Sequence, residues 1–327
     1  MAGGKERVLR RRIKSVNSTK KITRAMELIA ATRVMKAQQR AHASRPYSEQ
    51  ITAVIQNLAA AGGTSDHPLL RAATDVRKVG YVVVTGDRGL AGAYNANVIR
   101  AAERDLQARR AEGVDYSLIV VGKKGEGYFR FRGFKVDAAF TGFSGQPTYE
   151  DARQVADTVR QRFEAGELDE VVLIYTRFLS VASQRVAVRQ FMPLTGVGAE
   201  EATGPTADYE FEPSPGDILT RLLPRYVEAR LYAALLDGAA SFFASQQRAM
   251  KSATDNADDL ITKLSRVMNR ARQDAITTEI MEIVGGAEAL RQSQASGDDL
   301  LPDFLINPDF LSDSLDPTRT AQQERSR

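Results

Sequence analysis

Residues 253–271, ATDNADDLITKLSRVMNRA, decide the fold. The apolar positions Ala253, Ala257, Leu260, Leu264, Val267 and Ala271 recur in steps of four and three. That is the heptad spacing of a helix that must lay one stripe against another helix. Downstream the spacing slips by one residue between Ala271 and Ile276 and resumes at Ile280, Ile283, Ala287 and Leu290, so the coil is expected to change phase there. Upstream, Ser214-Pro215-Gly216-Asp217 supplies a Ser cap, a Pro at the first helical position and an acid three residues after the cap, which starts the helix at 214. At 1.5 Å per residue, an element over 214–290 would be on the order of 110 Å long, which spells a rod rather than one helix of a globular bundle. Pro224 removes one helical hydrogen bond and predicts a kink. Phe242 and Phe243 are adjacent, so one of them is expected to point away from the coil partner.

That partner is not near in sequence. From Lys5 to about Ala60 runs a second helical pattern, with Leu9, Ile13, Val16, Ile22, Met26, Ile29, Ala30, Val34, Ala37 and Ala41 on a shifting stripe. Its other faces carry Arg10, Arg11, Arg12, Lys14, Lys20, Lys21, Arg24, Arg33, Lys36 and Arg40. A lone helix this charged gains little from its own contacts, so the stripe needs another helix, and an antiparallel pairing with 214–290 is the simplest.

The middle of the chain changes character. Val79–Thr85 is a continuous apolar strand, followed by Gly86-Asp87-Arg88-Gly89-Leu90-Ala91-Gly92 and a helical stretch from Ala93 to about Arg110. Ser117–Val121, Phe134–Phe140 and Glu170–Tyr175 read as further strands, and Tyr149–Glu164 as a helix. Alternating strands and helices imply a parallel sheet with crossover helices, and Val181–Met192 follows its predecessor closely enough to pair with it as a hairpin at the edge. The fold class is therefore α/β: an antiparallel two-helix coiled coil of the N- and C-terminal helices plus an open, mostly parallel α/β domain. The expected organisation is a coil helix over 1–62, a linker over 63–77, a Rossmann-like domain over 78–200, a docking loop over 201–213, a coil helix over 214–290, and an acidic, disordered tail over 291–327.

Composition narrows the chemistry. The absence of Cys excludes disulfides and thiol catalysis, and the two histidines, His42 and His67, stand in unrelated contexts. Neither glycine loop has GxGxxG or P-loop spacing, and Gly122-Lys123-Lys124-Gly125 lacks the hydroxyl that would hold magnesium, so these glycines read as tight turns beneath helix starts. No catalytic residue, cofactor or metal is expected, and the domain reads as a scaffold. No apolar run is long enough to span a membrane, and no secretory signal is visible, which places the chain in the cytosol or at a membrane surface. Residues 1–50 hold thirteen basic and three acidic residues, whereas 291–327 hold four and seven. The basic head implies an acidic partner. A nucleic-acid-binding coil is the rival reading, but base-stacking aromatics are missing there. A nucleotide-binding enzyme is a second rival, and each explains only one segment. The tail repeats Pro302-Asp303-Phe304-Leu305 as Pro308-Asp309-Phe310-Leu311.

Several blocks resemble the γ subunit of the F-type ATP synthase, of the bacterial type without the chloroplast dithiol insertion. They are Ile22-Thr23-Arg24-Ala25-Met26-Glu27, Gly86 to Gly92 with Asn95, Ala253-Thr254-Asp255-Asn256-Ala257, Ala271-Arg272-Gln273, Ile276-Thr277, Glu279, and Glu282-Ile283-Val284-Gly285-Gly286-Ala287. The resemblance covers residues 1–290 and implies a rotor shaft inside a hexamer of α and β subunits that carry the catalysis. An ε subunit and a membrane c-ring would sit at the other end, at the cytoplasmic face of the cell membrane. It further implies β-subunit contacts at Met26, Arg272, Gln273, Thr277 and Glu279, and c-ring or ε contacts at Tyr209, Phe211 and Glu212. The family commonly has Glu where Phe242 stands and Arg where Gln246 stands, so coupling through that part of the shaft is expected to differ here. The tail is expected to meet the crown of the hexamer.

Overall fold

The computed structural model describes residues 2–60, 67–194, 212 and 214–298. These divide into two bodies, Asn17–Asp259 and the pair formed by Met1–Val16 with the chain from Leu260 onward. The first long helix, α1, spans Ala2–Ala60, and the last, α5, spans Pro215–Asp298.

The larger body is built on a five-stranded sheet: β1 (Lys78–Val84), β2 (Asp115–Val121), β3 (Val136–Phe140), β4 (Glu170–Phe178) and β5 (Gln184–Met192). The spatial order is β3-β2-β1-β4-β5; the first four strands are parallel and β5 pairs antiparallel with β4 at the edge. Helices α2 (Tyr94–Ala111), α3 (Lys123–Phe131) and α4 (Tyr149–Glu164) make the crossovers. Val79, Tyr81, Val83, Leu118 and Val120 face Val98, Ala102 and Leu106 of α2 and Phe129 of α3. On the opposite face Val82, Val84, Ile119 and Val121 meet Val155, Val159 and Phe163 of α4, together with Ile51, Ile55 and Leu58 of α1 and Leu219, Leu223 and Val227 of α5. Both faces are covered, which is why the central strands read as unbroken apolar runs. The N-terminus of α4 is closed by a capping box of Thr148 and Asp151. Helix α3 is a feature the sequence reading missed, because its nine residues carry three glycines or lysines at the start and no long periodic stripe.

The coil is antiparallel, as its cross-helix pairs show. The Thr23 and Thr254 hydroxyls lie 2.8 Å apart, Lys20 pairs with Asp258, and the Arg33 guanidinium sits 5.5 Å from the Phe243 ring centre. Partner numbers fall as α1 numbers rise. The buried positions Thr23, Ala30, Val34, Ala37, Ile51, Ile55 and Leu58 keep heptad steps along α1. The seam is not the one apolarity alone suggests. Ile22 is 60% exposed, Ile29 52%, Leu260 38% and Val267 54%, while Thr23, Thr254 and the ion pair occupy the interface. Small or mutually satisfied side chains let the two backbones approach, so the bulky residues are turned outward. In α5 the half-buried positions Ile261, Leu264, Met268, Ala271 and Ala275 continue in steps of three and four, so no change of phase occurs after Ala271. The slip at Ile276 instead marks where the apolar stripe parts from α1. Helix α5 runs on to Asp298, beyond Leu290, because 291–296 contain no helix breaker and Glu288 bonds Arg291 and Gln292. Both Pro46 and Pro224 lie inside continuous helices. The repeated Pro-Asp-Phe-Leu segments and the expected disorder of the far tail lie outside the described residues.

Candidate functional site

The glycine-rich turn after β1 is held from every side. Gly86 N–H donates to the Asn95 side-chain oxygen at 2.8 Å, and the Asn95 amide donates back to the Arg88 carbonyl at 3.1 Å. The Asp87 carboxylate accepts from Ser144 N–H, the Ser144 hydroxyl and Lys123 N–H at 3.1, 2.7 and 3.1 Å. Burial alone would push the Asp87 carboxyl up, but these donors and the N–H of Gly142 together hold it below the usual carboxylate range. Thr85 donates to the Val121 carbonyl and accepts from Gly125 N–H, which ties the ends of β1 and β2 to α3. The turn is then covered by α5. Phe242 packs over Gly86, where a Cβ would lie 3.0 Å from its ring, and meets Tyr94 edge-on at 5.5 Å. Phe243 turns the other way, toward Arg33 of α1. The two adjacent rings therefore divide between the sheet domain and the coil.

A half-buried acid, Asp237, sits on α5. Burial pushes the Asp237 carboxyl up to about 6, against the pull of Arg177, the Phe178 backbone, Arg45 and Arg189. The folded chain therefore binds this proton more tightly than the unfolded chain. The stabilisation is complete below the unfolded carboxylate value and is lost as pH rises through about 6. Asp237→Asn is expected to raise stability at pH 7.5 by about 1 kcal/mol after allowance for partial solvent access, a Tm gain of about 2–4 °C. At pH 4 it should change little. Thermal unfolding at the two pH values checks this, and an equal or negative shift at pH 7.5 would refute it.

The residues singled out from sequence are distributed as follows. Arg272, Gln273, Thr277 and Glu279 are all exposed on α5, and Thr277 donates to the Gln273 carbonyl at 3.0 Å. Met26 is half-buried on α1 in the other body. Glu212 is exposed, and Tyr209 and Phe211 lie outside the described residues. At roughly 100° per residue, Arg272 and Glu279 share one face while Gln273 and Thr277 share another about 120° away. Between these two polar edges lie residues that the sequence reading put into the coil or passed over: Ile276, Ile280, Ile283, Val284 and Leu290, exposed by 46, 55, 67, 60 and 67%. In the smaller body the first residues of α1, Gly4, Lys5, Val8 and Leu9, line a groove with α5 residues up to Thr278. Past that point every described side chain of α5 through Ser293 is exposed. An apolar stripe that no described residue covers needs a partner surface, and the break in spacing at Ile276 was the signal for it.

Among the described residues no cluster of three or more metal-ligating side chains occurs, and no helix is long and apolar enough to cross a membrane.

A family profile described as ATP synthase matches residues 5–290. The ATP synthase gamma chain of Frankia casuarinae is 52% identical, the match covering 88% of this chain and 98% of that protein. The chain belongs to the ATP synthase gamma-chain family. The gamma chain of Mycolicibacterium smegmatis is 49% identical with the same coverage. Among solved structures, a chain of the Euglena gracilis mitochondrial ATP synthase has a TM-score of 0.63 at 18% identity, covering 89% of this chain and 96% of that one. A chain of the Tetrahymena thermophila central stalk and c-ring has a TM-score of 0.56 at 23% identity, covering 71% and 99%. These likenesses show that the gamma-chain fold is shared: long terminal helices around a mostly parallel α/β domain. The gamma-chain profile ends at Leu290, the last residue of the apolar stripe.

Proposed function

We infer that this gamma chain is the central rotor of a proton-translocating ATP synthase, coupling turning of a membrane c-ring to ATP synthesis or hydrolysis. The catalytic sites lie on the β subunits of an alternating α and β hexamer, and this chain carries none. The unaccompanied end of α5 provides the moving surface: its apolar stripe slides on the hexamer wall, while Arg272, Gln273, Thr277 and Glu279 make the directional contacts, with Met26 on α1. Arg272 can fork onto a carboxylate and the Gln273 amide can hydrogen-bond. The α/β domain and the 201–213 segment, through Tyr209, Phe211 and Glu212, meet ε and the c-ring at the cytoplasmic face of the cell membrane, where the chain is peripheral. The observation that carries this reading is the exposed stripe Ile276–Leu290 on a chain 52% identical to a gamma chain over nearly that protein's whole length.

The energetics require several contacts at once. Swinging a site from 1:99 to 99:1 takes about 5.5 kcal/mol of differential interaction, and one exposed polar contact supplies about 0.2–1 kcal/mol. Replacing Arg272, Gln273, Thr277 and Glu279 together by Ala is therefore expected to remove about 2 kcal/mol of coupling, a fall of about 30-fold in ATP hydrolysis by the assembled complex. The three-to-three-to-one proportion of α, β and this chain should survive purification. A wild-type rate from the assembled variant would refute these contacts. Failure of α and β to co-purify with the unaltered chain would refute the rotor reading itself.

A further inference from the structure

The apolar surface of the smaller body is wider than the stripe past Ile276. Val8 and Val267, 63% and 54% exposed, line one groove of about 860 Å³ with Leu9 and Ala271. Positive charge dominates around it: Lys5 and Arg270 line the groove against Asp274, and residues 5–14 hold six basic residues and one acid. An apolar surface ringed by positive charge fits an apolar segment that carries negative charge. The chain itself has one. Residues 299–316, DLLPDFLINPDFLSDSLD, hold five Asp, no Lys or Arg, and eight Leu, Ile or Phe. The segment lies beyond the family match, which ends at Leu290, so no role of the matched shaft accounts for it. Its length also suits the distance. Helix α5 ends at Asp298, with Thr278 and Ala271 about 30 and 40 Å back along it at 1.5 Å per residue. A chain doubling back at about 3.3 Å per residue covers those spans in roughly nine and twelve residues, which brings Asn307 level with Thr278 and Phe310 level with Ala271. By the same measure Phe304 arrives beside Val284, which is 60% exposed.

We propose that in the free chain residues 299–316 fold back along α5, with Phe304 on the stripe at Val284 and Phe310 in the groove between α1 and α5. The aspartates then face the basic start of α1, and the two Pro-Asp-Phe-Leu repeats act as two anchors in register with two apolar patches of the helix. Pro302 and Pro308 disfavour a helix, which suits an extended return. A segment tethered this closely sits at an effective concentration of about millimolar, so a weak match suffices to hold it. The consequence is a shaft end that shields its own apolar surface until another surface displaces the tail. The fold-back does not depend on the rotor reading, because it concerns the chain by itself.

The test uses the purified full-length chain, which has no cysteine of its own. Asn307→Cys combined with Thr278→Cys places one thiol in the tail and one at the edge of the groove. Mild oxidation is expected to close a disulfide within one chain, at a rate independent of protein concentration. Adding Phe304→Ser and Phe310→Ser should slow that closure by about tenfold or more, since it removes both anchors and leaves the tether intact. In the cysteine-free chain the same two serines should raise the fluorescence of a dye that binds apolar surface, with helix content by circular dichroism unchanged. Equal closure with and without the phenylalanines would mean a tether without docking and would overturn the proposal, as would no closure at all. Disulfides between chains that grow with protein concentration would give the groove to a second copy of the chain, and would overturn it too.

Discussion

Gly122→Ala is expected to cost more than about 4 kcal/mol and to leave the chain largely unfolded or insoluble at 37 °C. Gly122 has φ +96°, and a Cβ there would lie 2.4 Å from the Thr85 carbonyl oxygen and 2.9 Å from the Gly86 carbonyl carbon. Those are backbone atoms at the end of β1, themselves fixed by the Thr85 hydroxyl bridging β2 and α3, so nothing nearby can yield cheaply. Gly113→Ala provides the comparison. Its φ is +85°, yet open space surrounds the added methyl, so only the conformational strain of about 1 kcal/mol should appear. Urea unfolding of both variants separates the two effects. Similar midpoints for the two would contradict the close approach of β1 and the turn at Gly122.

Phe242→Ala is expected to destabilise the larger body by about 3–5 kcal/mol. The ring is 5% exposed and packs against Gly86, Tyr94 and Phe243, so its removal opens a cavity between α5 and the glycine turn. Phe242→Glu is informative for a different reason, because it places a carboxylate at the junction of α5 with the glycine turn. In this chain the carboxylate would be buried against two aromatic rings, and a loss comparable to that of the Ala variant is expected. Adding Gln246→Arg, four residues on, supplies an i,i+4 partner and should restore only about 0.3–0.5 kcal/mol. Denaturant midpoints of the single and double variants check this. Near-neutral behaviour of Phe242→Glu would show that the ring is not buried at this junction.

The way sequence and structure part company along the helices is instructive. Heptad spacing in 253–271 and the basic pattern of α1 were enough to pair the two helices, since burial of an apolar stripe leaves little choice of partner. The detailed seam was not legible. Ile22, Ile29, Leu260 and Val267 look like core and are exposed, while Thr23 and Thr254 look like surface and are buried in contact. Hydropathy records what a side chain could bury against any surface, not which of two available surfaces it meets. The same limit explains the end of α5: a stripe from Ile276 to Leu290 has the period of a coil seam, yet no described residue of this chain covers it. The strands were read correctly because both faces of the sheet are covered, which leaves uninterrupted apolar runs. The α3 helix escaped because it is short and glycine-rich at its start.

The rotor account is tested most directly by watching the chain turn. The sequence has no cysteine, so Phe131→Cys, at a position 87% exposed on α3, gives a single thiol for attaching a probe. With the α and β hexamer, freed of its own cysteines, fixed to a surface and supplied with ATP, the account predicts rotation in one direction with three dwell positions per turn. Steady ATP hydrolysis with the probe stationary, or diffusing equally in both directions, would contradict it.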